Sequence, residues 1–356
     1  MKLIHCGDIH LDSRMETHLT PEQARERGGE LCTTFARMVA YARREQVSAI
    51  LIAGDLFDGE RVTARTADFV LDTVAGAPEV EVFYLRGNHD GGSRAFAGRT
   101  MPENLKTFST AWTRYDLGPV TVAGREWGGD PAAFWDGLQL DRERMNIVTL
   151  HGQTSARTGE GLVCLPALRG KGIRYLALGH LHSYQRERLD EEGEYCYCGC
   201  LEGRGFDECG EKGFVLLETD GRQLRAGFVP FARRTLWEVP VDLTGLTTVT
   251  QIGRAMGAAA EGLSPDSLVK FTLTGEFEPD TQKDLPFLRQ LMGQRFWFAA
   301  VADQSRLRLR AEDFAHDISL KGEFVRRVLA SELSGKERDR VICLGLRALR
   351  GEEIVL

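Results

Sequence analysis

Val47-Ser48-Ala49-Ile50-Leu51-Ile52-Ala53-Gly54-Asp55 is an apolar run that stops abruptly at a glycine and an aspartate. A strand buried on both faces reads this way, because no polar residue has to alternate outward. Similar runs flank it. Leu3 to Cys6 ends in Gly7-Asp8-Ile9-His10, and Val80 to Leu85 leads into Gly87-Asn88-His89-Asp90. Asn146 to Leu150 ends in His151-Gly152, and Ile173 to Leu178 in Gly179-His180-Leu181-His182. Helical spacing of Leu31, Phe35, Met38, Val39 and Ala42 predicts a helix over Pro21 to Glu45, and Ala64 to Ala75 reads as a second. Strands alternating with helices indicate an α/β sheet, in which ligands gather at the carboxyl ends of the strands. The motifs are therefore expected to converge along one sheet edge. The glycines beside them permit sharp turns and close backbone approach.

The residues in these turns share one chemistry. Of eight histidines, only His5, His18 and His316 lie outside the motifs. Oxygen and imidazole donors without thiolate suit Mn²⁺, Fe²⁺ or Zn²⁺ in a two-metal hydrolytic site, where the ions activate a water toward phosphorus. Asp55 is the candidate bridge, since a carboxylate offers an oxygen to each of two cations. Asp8 and His10 can address one ion, Asn88 and His151 supply an amide oxygen and an imidazole, and His180 and His182 can divide between the two. His89 is the candidate general acid, with Asp90 expected to orient it.

Composition bounds the rest. A chain of 356 residues with ordinary apolar and charged fractions implies two or three globular domains. No apolar run is long enough to span a bilayer, and the first residues lack a signal-peptide pattern, so a cytoplasmic location without membrane contact is expected. The net charge of −7 argues against coating nucleic acid by bulk electrostatics, but leaves room for a local basic groove. Cys196, Cys198, Cys200 and Cys209 lack paired zinc-ligand spacing and read as reduced thiols on a strand. From Tyr195 the texture becomes strands and turns, which suggests an antiparallel second sheet packed on the first. A smaller α/β unit follows, and the remainder reads as helices. Val325, Val328, Leu329 and Leu333 stripe one helix, and Val341, Ile342, Leu346 and Leu349 the next.

The segments GDIH, GDLFD, GNHD, HG and GHLH over residues 7–182 resemble the calcineurin-like metallophosphoesterase superfamily. Within it, GDIHLDS, GDLFDG, LRGNHD and the later YCYCGCLEGRGFDE look like the SbcD-type nucleases, the bacterial counterpart of the Mre-type DNA break-repair nucleases. The resemblance implies an α/β (α+β) fold, a four-layer β-sandwich flanked by helices. Asp8, His10 and His182 would bind one divalent ion, with Mn²⁺ foremost; Asn88, His151 and His180 would bind the other. Asp55 would lie between them, and His89 would be the catalytic histidine outside the ligand set. It also implies a nuclease domain over 1–233, a DNA-selecting capping domain over 234–310, and helices over 311–356 that dock on a coiled-coil ATPase of the SbcC type. A homodimer is left open. Arg204 and Phe206 are candidates to touch substrate. The expected activity is that of a DNA exo/endonuclease subunit; the alternative is a small-molecule or cyclic-nucleotide phosphoesterase using the same centre.

Overall fold

The computed structural model describes residues 1–15, 19–59, 62–90, 95–278, 281–308, 314–349 and 351. His18, Leu309 and Ala311, and with them the expected 310/311 boundary, lie outside the described residues. Among the described residues, no helix is long and apolar enough to cross a membrane. The chain forms two compact units, Met1–Thr235 and Leu236–Leu356.

In the first unit, strands β1 (Lys2–Cys6), β2 (Ala49–Ala53), β3 (Glu81–Leu85) and β4 (Leu105–Thr107) run parallel. A second sheet contains β5 (Thr113–Leu117), β6 (Val120–Gly124), β7 (Met145–His151), β10 (Tyr175–Gly179), β11 (Gln185–Arg188) and β12 (Glu194–Tyr197). Strands β8 (Gln153–Ser155) and β9 (Leu162–Cys164) pair beside it. The expected single sheet edge is thus corrected: β1, β2 and β3 lie in one sheet, and β7 and β10 in the other. The late strands divide as well. β13 (Gly213–Thr219) and β14 (Leu224–Pro230) extend the first sheet, with β13 antiparallel to β1, whereas β12 lies parallel to β10.

Three apolar layers explain the unbroken hydrophobic runs. Leu3, Leu51 and Phe83 face Val122, Ile147, Ala177 and Cys196 between the sheets. The alternate residues Ile4, Ile50, Ile52 and Val82 pack under helices α1 (Pro21–Arg44) and α2 (Ala64–Ala75). Val148, Leu150, Leu176 and Leu178 cover the outer face of the second sheet, against α3 (Leu165–Leu168) and the turn at Ala133–Trp135. Helix α1 starts where Pro21 follows Thr20, whose hydroxyl accepts from the Gln23 N–H while the Gln23 side chain accepts from the Thr20 N–H. That reciprocal capping satisfies two otherwise orphaned donors.

The second unit holds a parallel sheet of β15 (Leu236–Asp242), β16 (Leu268–Thr274) and β18 (Phe298–Asp303), with β17 (Glu276–Phe277) pairing β19 (Arg306–Leu307). Val239, Val241, Phe271 and Leu273 bury against α4 (Val249–Ala259) and α5 (Leu285–Gly293). Helices α6 (Leu320–Leu329) and α7 (Gly335–Leu349) pack on each other through Val325, Val328, Ile342 and Leu346. The inner part of each predicted stripe is therefore used within the unit, while Leu333, Val341 and Leu349 stay exposed.

Candidate metal centre

Backbone conformation sets the site before any side chain does. Asp8 and His10 each have φ 49°, Asp55 has φ 51° and His180 φ 108°. Non-glycine residues in this region cost about 1–3 kcal/mol each and persist only where their surroundings hold them. The holding bonds are visible: the turns after β1 and β2 are zipped by Asp8 N–H to the Gly54 carbonyl (3.0 Å) and His10 N–H to the Asp55 carbonyl (3.0 Å). Two glycines make room. A Cβ on Gly54 would fall 2.1 Å from His151 Nδ1, and one on Gly87 2.1 Å from Asp55 Oδ1.

All seven residues expected as ligands come together from the ends of strands in both sheets. His10 Nε2 lies 3.3 Å from His182 Nε2 and 3.8 Å from Asp55 Oδ2. Asp8 joins them: one donor atom each from Asp8, His10 and His182 lies within 4.8 Å of the others, as do those of Asp8, Asp55 and His151. On the other side, His151 Nε2 is 3.4 Å from Asp55 Oδ2 and 2.8 Å from Asn88 Oδ1, and His180 Nδ1 is 3.3 Å from Asn88 Oδ1. Asp55 Oδ2 thus faces both halves, while its Oδ1 accepts from the His89 backbone N–H (2.9 Å). Asp8 is fixed by the His180 N–H at 3.0 Å.

Behind the cluster stand two carboxylates to which sequence reasoning assigned no role. Asp58 Oδ1 lies 3.3 Å from His10 Nδ1 and 3.4 Å from His89 Nδ1. Glu208 Oε1 accepts from His182 Nδ1 at 2.7 Å. Asp58 stands three residues after Asp55 within the quoted GDLFD motif, a signal that was present; Glu208 had only its place in the FDE segment. Asp90 is a correction. Its oxygens accept the backbone N–H groups of Leu56 (3.1 Å), Phe57 (2.9 Å) and Gly87 (3.0 Å), so it ties the two metal-motif loops together and does not orient His89. Successive residues in a turn point apart, and Asp58 from the neighbouring loop takes the place beside His89. Arg204 does reach the cluster, whereas Phe206 is half-buried in the turn after it, where the Cys209 thiol donates to its carbonyl oxygen (3.2 Å). Cys196, Cys198 and Cys200 are buried thiols, with Cys196 pushed up to about 11 by burial. Among the described residues, the groups with metal-ligand geometry contain no cysteine.

Comparison with known proteins agrees with this constellation. Residues 1–184 match the family described as calcineurin-like phosphoesterase. The chain belongs to that family. The uncharacterized metallophosphoesterase YhaO of Bacillus subtilis (strain 168) is 29% identical over 273 residues, covering 71% of this chain and 65% of its own length. The DNA double-strand break repair protein Mre11 of Aeropyrum pernix is 27% identical over 271 residues, covering 68% of this chain and 64% of its own length. Among solved structures, TT1561 of Thermus thermophilus shares 16% identity over 64% of this chain and 98% of that one, with a TM-score of 0.42. The chain therefore spans just under two thirds of the length of these two curated relatives.

The calcineurin-like family implies two divalent cations, and the residues here fit them. His151 donates its Nδ1–H to the Ala53 carbonyl (2.9 Å), and burial lowers its pKa to about 4. Its Nε2 is then a bare lone pair aimed at two oxygens, an arrangement that a shared cation resolves. His182 repeats the pattern, with Nδ1 on Glu208 and Nε2 turned to His10. Burial lifts the Asp8 carboxyl to about 8, against the pull of His182 and with the charge of Asp55 adding to the lift. A buried carboxylate so penalised is stabilised by an adjacent positive ion. The third close group, His10, Asp58 and His89, fits a cation less well. Arg204 Nη1 already stands 3.6 Å from Asp58 Oδ1, and its charge would repel one.

Proposed function

We propose that the chain is a metal-dependent phosphodiesterase acting on DNA, the nuclease partner of a coiled-coil ATPase in the cytoplasm. The observation that carries this is the convergence of seven oxygen and imidazole donors on a centre whose outer side is open. Asn88 and His89 are exposed, His180 and His182 half-buried, so a polymer backbone can approach. The names of the Mre11 relatives support DNA as the substrate. In this reading Asp8, His10 and His182 hold one cation, and Asn88, His151 and His180 the other, with Asp55 between; Mn²⁺ is the proposed ion. When bound, the two cations supply Lewis acidity that activates a water nucleophile and offsets phosphoryl charge.

The chain's own groups do the rest. Asp58 holds His89 by Nδ1, which leaves Nε2 to present a proton to the leaving oxygen. The His89 side chain is 45% exposed, so that nitrogen is within reach of a bound phosphodiester. The helices α6 and α7 carry the proposed ATPase contact. The test is Mn²⁺-dependent degradation of linear DNA compared with hydrolysis of cyclic nucleotides. DNA cleavage is expected to dominate, and binding to weaken with salt through a few Lys or Arg contacts. Turnover of cyclic nucleotides with no action on any DNA would assign the centre to a small-molecule phosphoesterase instead.

A further inference from the structure

Residues 200–208 form a bracket that brings one arginine to the rim of the centre. Glu202, buried, accepts from the Thr34 hydroxyl (2.7 Å), the Arg233 N–H and the buried Arg27 guanidinium (3.4 Å). Arg27 also donates to the Gly203 carbonyl at 2.6 Å. The next residue is Arg204, whose backbone N–H donates to Glu208 Oε2 at 2.7 Å. Its guanidinium lays one edge on Glu208, with Nε at 3.3 Å and Nη2 at 2.9 Å from Oε1. The opposite nitrogen, Nη1, points to Asp58 Oδ1 at 3.6 Å, beyond hydrogen-bond length. That same oxygen lies 3.4 Å from His89 Nδ1. Arg204 and His89 therefore flank Asp58, and the arginine side chain is 19% exposed.

We propose that Arg204 is a ligand for a non-bridging oxygen of the substrate phosphodiester, donating from Nη1 beside His89 while Glu208 grips its other edge. The proposal rests on the phosphoesterase reading and adds a substrate contact to it. The planar fork suits the arrangement: one edge is anchored by a carboxylate, and the other stands beside Asp58 and His89 at the rim, where a phosphate oxygen can approach it. Lysine has a compact ammonium, which can serve Glu208 or the phosphate but cannot span both. Glu208 is shared by Arg204 and His182, so the substrate contact and one proposed metal ligand are held by the same carboxylate.

The test uses the full chain loaded with Mn²⁺, with inorganic phosphate as the binding probe and bis(p-nitrophenyl) phosphate as the reporter substrate. Arg204→Gln and Arg204→Lys should both keep two ions per chain, and Arg204→Lys, whose ammonium still serves Glu208, should also keep a melting temperature near that of the wild type. Both should weaken phosphate roughly tenfold, the loss of one charge-assisted bond. Their kcat should fall by about 10²-fold, as for removal of one donor from a developing anion. Wild-type phosphate affinity in either variant overturns the proposal, as does a wild-type chain that binds no phosphate. Loss of metal in parallel with phosphate affinity also overturns it, since Arg204 would then act only through Glu208 and His182. If phosphate affinity depends on Arg204 but no DNA is cut, the DNA reading fails and the arginine contact stands.

Discussion

Asp55 stands between the two halves of the centre, with one oxygen facing His10 on one side and His151 on the other. Asp55→Asn keeps the shape and removes the shared charge. Metal analysis should show both ions weakened together; tight retention of two ions would remove Asp55 from the bridging place. His89→Ala should leave metal content near normal and lower phosphodiester hydrolysis by about 10²–10⁴-fold. Loss of metal along with activity would make His89 a ligand. His5 offers a test away from the cluster. It is fully buried between the sheets, its Nδ1 2.9 Å from the Tyr175 hydroxyl. Burial lowers its pKa to about 3, against the Leu178 carbonyl, which raises it. The unfolded chain therefore binds one more proton than the folded chain between about pH 6.5 and 3. The contribution is fully present above the unfolded value and is lost as pH falls through that window, on the order of 5 kcal/mol at full titration. His5→Leu should flatten the acid limb of stability against pH, and an unchanged limb in denaturant titrations would show that His5 does not carry it. Adjacency misled at this scale: Asp90 follows His89 in the chain, yet Asp58, 31 residues earlier, is its neighbour in space.

At the scale of elements, the motif-bearing strands were legible because each is buried on both faces and reads as an apolar run. Their assignment to two sheets was not. The run of β2 and that of β7 have the same texture, and what separates them is pairing with distant strands. Edge strands were hidden for a different reason. β11, Gln185–Arg188, is exposed throughout and carries no apolar alternation, and β5 is only half-buried. The link between α1 and the 200–208 bracket was also invisible, since Arg27 lies among polar residues at the polar start of its helix. Its burial makes a sharp prediction. Arg27→Met leaves the buried Glu202 charge without its cation, held only by the Thr34 and Arg233 hydrogen bonds, and should cost about 3–5 kcal/mol. Adding Glu202→Gln keeps acceptors for Thr34 and Arg233 and removes the charge, so the double variant should recover a large part of that loss. Urea melts of the four chains close the cycle; additive losses would show that the pair is not coupled.

At the scale of the whole molecule, the chain divides into two compact units at Thr235/Leu236, where a run of strands gives way to a fresh strand–helix alternation. The C-terminal helices were legible as amphipathic, but periodicity says only that a stripe is covered, not by what. Val325, Val328, Ile342 and Leu346 are covered by the opposing helix, so substituting them tests folding and not partnership. Leu333 and Val341 belong to the same predicted stripes and remain 39% and 36% exposed. If α6 and α7 dock on a coiled-coil ATPase, Val341 on α7 and Leu333, which lies in the turn between the helices and not on the expected helical stripe, are where apolar contact is available. Leu333→Glu with Val341→Glu should leave stability within about 1 kcal/mol, as two surface changes do. Metal content and DNA cleavage by the isolated chain should be unchanged, while co-elution with the ATPase on size exclusion should be lost. Ile342→Glu should instead melt the helix pair, since it forces an unpaired charge into an apolar contact. A doubly substituted chain that still co-elutes in stoichiometric amounts would place the ATPase contact elsewhere on the molecule.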